Sequence, residues 1–193
     1  MHNPQDLPGR FGRVVAAVDR VLTAIDCEAV VGGGWAVWRH GFINRVTNDI
    51  DIVLPADRIQ EFLDVSSVSG FQILASGPGR WPKAHHKETD IQVDILPEGE
   101  HPGIPPQLAP TTIPPPRQIG GAGPLLRYIN LPALIELKIA AGRLKDKADV
   151  VELVKINRQQ IDLIRLHLLR VHVDYANQFD ALVKDASNEN EDR

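Results

Sequence analysis

Cysteine occurs once in the 193 residues, as Cys27, which excludes an internal disulfide and any zinc cluster built on thiolates. Cysteine usage of this kind fits a cytoplasmic setting. A basic excess is also missing. The chain has 21 Lys and Arg against 25 Asp and Glu, a net charge of -4 and a pI near 6.0. That excludes a surface that is as a whole a nucleic-acid or membrane footprint, while a local basic patch stays open. The opening MHNPQDLPGR places Pro and Asp where the apolar stretch of a secretion signal would stand. Long hydrophobic runs are absent too. Ala29 to Trp38 is far short of a membrane span and is broken by three glycines, so a soluble protein with no membrane partner is expected. HExxH, EF-hand and GxSxG patterns are likewise missing. The histidines make no rival site: His85 and His86 point to opposite faces of a strand, and His167 and His172 are off register on a helix.

Hydrophobic residues make up 43% of the chain and charged ones 24%, enough for a packed core and incompatible with global disorder. The length suits one domain, or a small domain with a helical appendage. Val14, Val15, Val18, Val21, Leu22 and Ile25 recur at helical spacing from Phe11 to Ile25. A short strand over 29–31 runs into Gly32-Gly33-Gly34, and a short helix over 35–40 follows. Asp49 to Leu54 reads as a strand closed by Pro55, with Ala56 to Val65 helical after it. Phe71 to Leu74 and Ile91 to Leu96 are further strands, the second alternating Ile91, Val93 and Ile95 with Gln92 and Asp94.

The stretch 97–124 is rich in proline and glycine and reads as an extended connector between a core at 10–96 and a helical region at 125–186. Helices are expected over 131–143, 146–156 and about 159–184 with a break, before a polar, frayed SNENEDR tail. Charge is uneven: from Lys138 to Arg170, eight Lys and Arg stand against four acidic residues. Such a basic stretch suits an anion held over carboxylate-bound cations, or simply a solvated helix face.

Asp49-Ile50-Asp51 puts two carboxylates on one strand face, roughly 6.6 Å apart. They repel each other and sit badly in a sheet unless a divalent cation joins them. Mg²⁺ takes hard oxygen ligands, commonly one or two carboxylates with substrate phosphates. Asp94 has the same strand pattern. If its strand pairs beside the first, the third carboxylate comes within about 5 Å. Three carboxylates on one face suit in-line phosphoryl transfer with two cations. Taken singly, Asp94 is equally well a solvated Asp on a half-buried strand, whereas the preceding glycines weigh against that reading for Asp49 and Asp51. The Gly32–Gly34 turn, between strand and helix, lets phosphate approach backbone amides. It is neither a P-loop nor a dinucleotide fingerprint.

The run VGGGWAVWRHGFINRVTNDIDIVL, with VDIL some forty residues on, resembles the nucleotidyltransferase superfamily that includes DNA polymerase beta. The R-x-T-x-D-I-D spacing of Arg45, Thr47, Asp49 and Asp51 looks like the bacterial abortive-infection, AbiEii-type toxin group. LIELKIAAGRLKDKADVVEL, from Leu134 to Leu153, is similar to that group's second signature. The resemblance implies an α/β fold: a small mixed sheet flanked by helices and followed by a C-terminal helical region. It implies metal-dependent transfer of NMP from an NTP to an acceptor hydroxyl.

On matching positions, Asp49, Asp51 and Asp94 would bind Mg²⁺ or Mn²⁺, Asp94 also activating the acceptor. Gly33 and Gly34 would line the phosphates, with Arg45 and Thr47 beside them. Lys138, Arg143 and Lys145 would neutralise the triphosphate, and Asp146 and Asp149 would orient those bases or contact the nucleotide. The favoured acceptor is RNA or tRNA, with a cognate antitoxin as a further partner. The alternatives are a small-molecule, antibiotic-modifying enzyme or an inactive nucleotide-binding module. The bland readings stand beside these: 138–147 as a charged surface, Asp146 as a helix N-cap, Thr47 as a turn residue, and Trp81 packing locally between Arg80 and Lys83.

Overall fold

The computed structural model describes Leu7, residues 9–75, Gly77 and residues 80–191. The chain divides into two units. The first comprises Met1–Ala36, Val46–Glu100 and Pro114–Ile129, and the second comprises Val37–Arg45, His101–Ile113 and Asn130–Arg193.

The first unit is built on strands β1 (Ala29–Val31), β2 (Asp49–Leu54), β3 (Phe71–Leu74), β4 (Lys83–His86), β5 (Ile91–Pro97) and β8 (Leu126–Tyr128). They form one six-stranded sheet in the order β3-β4-β5-β2-β1-β8. The sheet is mixed: β2 runs parallel to β5 and β1 parallel to β8, while β1/β2, β3/β4 and β4/β5 are antiparallel. Helices α1 (Gly9–Ala24) and α3 (Ile59–Val68) pack on it. Period-two alternation explains the layering. Ile50, Ile52, Val93, Ile95, Ala84 and Phe71 are buried, as are Val14, Val18 and Leu22 of α1. The residues between them on β2, β4 and β5 keep partial exposure.

Two strands have no apolar alternation to announce them. In β4, Lys-Ala-His-His, the buried positions are Ala84 and His86, so the two adjacent histidines face opposite ways. In β8, Arg127 is buried because Glu28 takes its guanidinium at 2.7 Å. The Pro/Gly-rich stretch contributes the small hairpin β6 (Gly103–Ile104) and β7 (Gln107–Leu108), and the short helix α4 (Pro116–Gly120).

The second unit is helical: α5 (Leu131–Ala141), α6 (Leu144–Ile156), α7 (Ile161–Val171) and α8 (Val173–Glu191), with the last residues of α2 (Gly33–Arg39) and the segment up to Arg45. Asn130 caps α5 by accepting from the Ala133 amide at 3.0 Å, with a proline in the first turn. Leu134, Ile135 and Ile139 of α5, Val150 and Leu153 of α6, and Ile164, Leu168, Tyr175 and Phe179 make the core. α6 begins earlier than the sequence suggests, at Leu144, so Arg143 and not Asp146 holds the N-cap position. α8 continues to Glu191 instead of fraying, and the last two residues of the tail lie outside the described residues. Among the described residues, no helix is long and apolar enough to cross a membrane.

Candidate active site

β1 ends at Val31, and the Gly32 amide still donates to the Asp51 carbonyl at 2.9 Å. The chain then turns at once into α2, with the Ala36 amide donating to the Gly32 carbonyl at 3.1 Å. Gly33 makes this turn with φ +56, a left-handed conformation that side chains disfavour. It also has no room for one: a Cβ there would lie 1.7 Å from Asp51 Oδ2. At Gly34 a Cβ would lie 2.7 Å from Thr47 Oγ1. The two glycines therefore let the turn close onto Asp51 and Thr47. Thr47 in turn donates its hydroxyl to Asp49 Oδ1 at 2.8 Å, fixing the orientation of the first carboxylate.

β2 and β5 pair in parallel with Asp49 opposite Gln92 and Asp51 opposite Asp94. Asp51 and Asp94 are thus neighbours on adjacent strands, and Asp49 is one pleat away on the same face. Gln92 Nε2 donates to Asp94 Oδ1 at 2.6 Å. Lys83, opposite Asp94 on β4, places its ammonium 3.0 Å from Asp94 Oδ1 and 3.2 Å from Oδ2. Sequence reasoning missed this lysine, because Lys83–His86 carries no apolar alternation to mark a strand. Among the described residues, no group of three His, Cys, Asp or Glu side chains stands in a metal-holding arrangement. The donors themselves, hard carboxylate oxygens in register on neighbouring strands, suit Mg²⁺ or Mn²⁺.

The remaining candidates lie in the second unit, and Arg45, Lys138, Arg143, Asp146 and Asp149 form one charge network. Lys138 is buried, with its ammonium 2.6 Å from Asp149 Oδ2 and 3.1 Å from Asp146 Oδ1. Arg45 Nε binds Asp149 Oδ1 at 2.6 Å, and Arg143 Nε binds Asp146 Oδ2 at 2.5 Å. Two cations and a shared ammonium thus surround two carboxylates that are only 2% and 4% exposed. Burial works against the charge on Asp146, but the hydrogen bond from Arg143 and the Lys138 ammonium outweigh it and hold the carboxyl below its ordinary range. Arg143 is half exposed and Lys145 exposed.

Residues 14–99, within which Gly33, Gly34, Asp49, Asp51 and Asp94 all fall, match the family model described as aminoglycoside-2''-adenylyltransferase. No curated protein matches the chain. Among solved structures, ANT(2")-Ia in complex with adenylyl-2"-tobramycin is 17% identical, with 92% of this chain and 97% of that one covered and a TM-score of 0.46. An antigenic nucleotidyltransferase-like protein from Paracoccidioides brasiliensis is 15% identical over 88% of this chain and 91% of that one, with a TM-score of 0.48. JHP933 from Helicobacter pylori is 11% identical over 93% and 91%, with a TM-score of 0.43.

The fold is a nucleotidyltransferase-type α/β architecture, a mixed sheet flanked by helices with a helical region after it, and the family match supports a nucleotidyltransferase-class enzyme. It corrects the resemblance to the AbiEii-type toxin group, since the family matched is an adenylyltransferase one. The physical reason lies in what the R-x-T-x-D-I-D run does. Thr47 packs on Gly34 and orients Asp49, a task that any acceptor requires and that therefore carries no information about a toxin.

Proposed function

We propose that this protein transfers a nucleoside monophosphate from an NTP to a hydroxyl of a small-molecule acceptor and releases pyrophosphate. The observation that carries the reading is the register that seats Asp51 beside Asp94, with Asp51 lying against the Gly33 turn. Asp49, Asp51 and Asp94 would hold Mg²⁺ or Mn²⁺, whose chemistry is to neutralise phosphate charge and sharpen the nucleophile. The acceptor oxygen attacks the α-phosphorus, its proton passes to the Asp94 carboxylate, and the bond to the β,γ-diphosphate breaks. Asp49 keeps its orientation through Thr47, and Asp51 keeps its own through the absence of a side chain at Gly33. The Gly33-Gly34 turn at the start of α2 provides backbone close to the phosphates.

In the second unit, Arg143 and Lys145 are exposed cations. Lys138 serves Asp146 and Asp149, which in turn hold Arg143 and Arg45 in place. The choice of a small molecule over RNA or a protein partner is supported by the family description over residues 14–99.

The test is label transfer from α-³²P-ATP with Mg²⁺, offered an aminoglycoside, a panel of other hydroxyl compounds and total RNA, with Asp51→Asn as the control. A small-molecule product that disappears in Asp51→Asn, while the circular dichroism spectrum is unchanged, is the expected result. Label entering RNA instead would refute the acceptor class. Equal transfer by Asp51→Asn would refute the site.

A further inference from the structure

The sheet face that carries the three carboxylates continues across the neighbouring strands. Asp94 on β5 lies opposite Lys83 on β4, which lies opposite Leu74 on β3. One pleat along, Gln92 lies opposite His85, which lies opposite Gln72. Alternation puts Lys83, His85, Gln72 and Leu74 on the carboxylate face, while Ala84, His86 and Phe71 are buried on the other. Beyond Asp94, the β4 and β3 part of this face carries one ammonium, one imidazole, one amide and one leucine, and no carboxylate. Asp90, which pairs with His85, projects from the turn after β4 and is 89% exposed. The ammonium of Lys83 lies on both oxygens of Asp94, and its side chain is 41% exposed.

We propose that Lys83 and the polar row beyond it form the acceptor subsite, and that this subsite takes an acceptor carrying an anionic group, phosphate or carboxylate, beside the hydroxyl that reacts. The inference rests on the transferase reading above and narrows its acceptor. A hydroxyl brought to Asp94 lies next to the Lys83 ammonium. An anion on a neighbouring carbon of the acceptor then makes a charge-assisted hydrogen bond of about 2.8 Å to it. That bond draws Lys83 off Asp94 and leaves Oδ2 open as the acceptor seats, while Gln92 still holds Oδ1. A polycationic amino sugar meets the opposite situation, because it needs carboxylates to receive its ammonium groups and finds a like charge at the position nearest the reacting hydroxyl. The family description over residues 14–99 names an aminoglycoside acceptor, and this part of the sheet is where the present chain would part from it.

The experiment loads the full chain with Mg²⁺ and a non-hydrolysable ATP analogue. It then measures binding of glucose 6-phosphate, gluconate and tobramycin by ligand-observed NMR, for wild type, Lys83→Gln, Lys83→Arg and Lys83→Glu. Binding of at least one anionic probe is expected, with a loss of tenfold or more in Lys83→Gln, retention in Lys83→Arg, and a preference turned toward tobramycin in Lys83→Glu. Glucose 6-phosphate alone would specify a phosphate, and gluconate alone a carboxylate. Tobramycin bound by the wild type and unaffected by Lys83→Gln or Lys83→Glu would overturn the inference, as would failure of both anionic probes. Failure of the wild type to bind the nucleotide analogue would instead remove the transferase reading. Lys83 is partly exposed, so the variants are expected to fold, and thermal melts check this.

Discussion

Replacing Gly33 by alanine strikes the site where it is tightest. The new Cβ would lie 1.7 Å from Asp51 Oδ2, whereas real Cβ contacts do not fall below 3.0 Å, so the carboxylate must withdraw by at least 1.3 Å. Alanine must also adopt the φ of +56 found there, which costs about 1–2 kcal/mol. For a chain of this size that lowers the melting temperature by about 2–8 °C, leaving the protein folded. The displaced carboxylate matters more, because misplacing groups around a metal weakens its binding by about 10–100-fold. Gly32→Ala is the matched control: a Cβ there has nothing within 4 Å and φ is ordinary. Mn²⁺ titrations followed by electron paramagnetic resonance in the presence of ATP compare the two directly. Gly33→Ala is expected to lose Mn²⁺ affinity by tenfold or more, with Gly32→Ala close to wild type. Equal affinity in both variants would refute the assignment of Asp51 as a ligand packed against the glycine turn.

Two further outcomes concern stability. Lys138→Met leaves the buried Asp146 and Asp149 with only Arg143 and Arg45. Loss of one member of a buried ion pair costs about 3–5 kcal/mol. The two remaining guanidiniums put this variant at about 3 kcal/mol, or about 6–12 °C in melting temperature by circular dichroism. A fall of less than 2 °C would show that the network contributes little. His86 is buried in the sheet core against Phe71 and hydrogen-bonded to Thr89, and burial lowers its pKa below the ordinary 6.5. The unfolded chain therefore takes up a proton first as pH falls below about 6.5, so stability contributed by neutral His86 is present above that pH and drains away in acid. Urea unfolding at pH 7.0 and 5.0 is expected to show a smaller loss in His86→Gln than in wild type, and an identical loss would refute it.

The parts of the fold that were legible in the sequence are those where one face is apolar and the other polar. β2 and β5 show this alternation, and their carboxylates stand at the polar positions for that reason. The glycine turn was legible because a backbone that must reverse beside a side chain tolerates little else. β4 and β8 were not, since their burial comes from partners distant in sequence: His86 beneath Phe71, and Arg127 held by Glu28. The lysines show the same dependence on distant partners. Sequence alone weights every cation alike, so Lys138 reads as a group for the triphosphate, although its ammonium lies between two buried carboxylates. Lys83 drew notice only as a neighbour of Trp81, because its pairing with Asp94 depends on strand register.

The position of the carboxylates within the strand order bears on how such a protein changes over generations. β2 is flanked by β5 on one side and β1 on the other, whereas β3 is an edge strand with β4 next to it. A substitution in β2 has to satisfy two neighbouring strands. β4 is flanked on both sides as well, by β3 and β5, whereas a substitution on the outward face of β3 has a single neighbouring strand to satisfy. On the proposed assignment, chemistry is anchored in the interior of the sheet and the acceptor row reaches its rim, so a lineage can sample new substrates by mutation at Gln72 on the edge strand while the strand that bears Asp49 and Asp51 stays as it is.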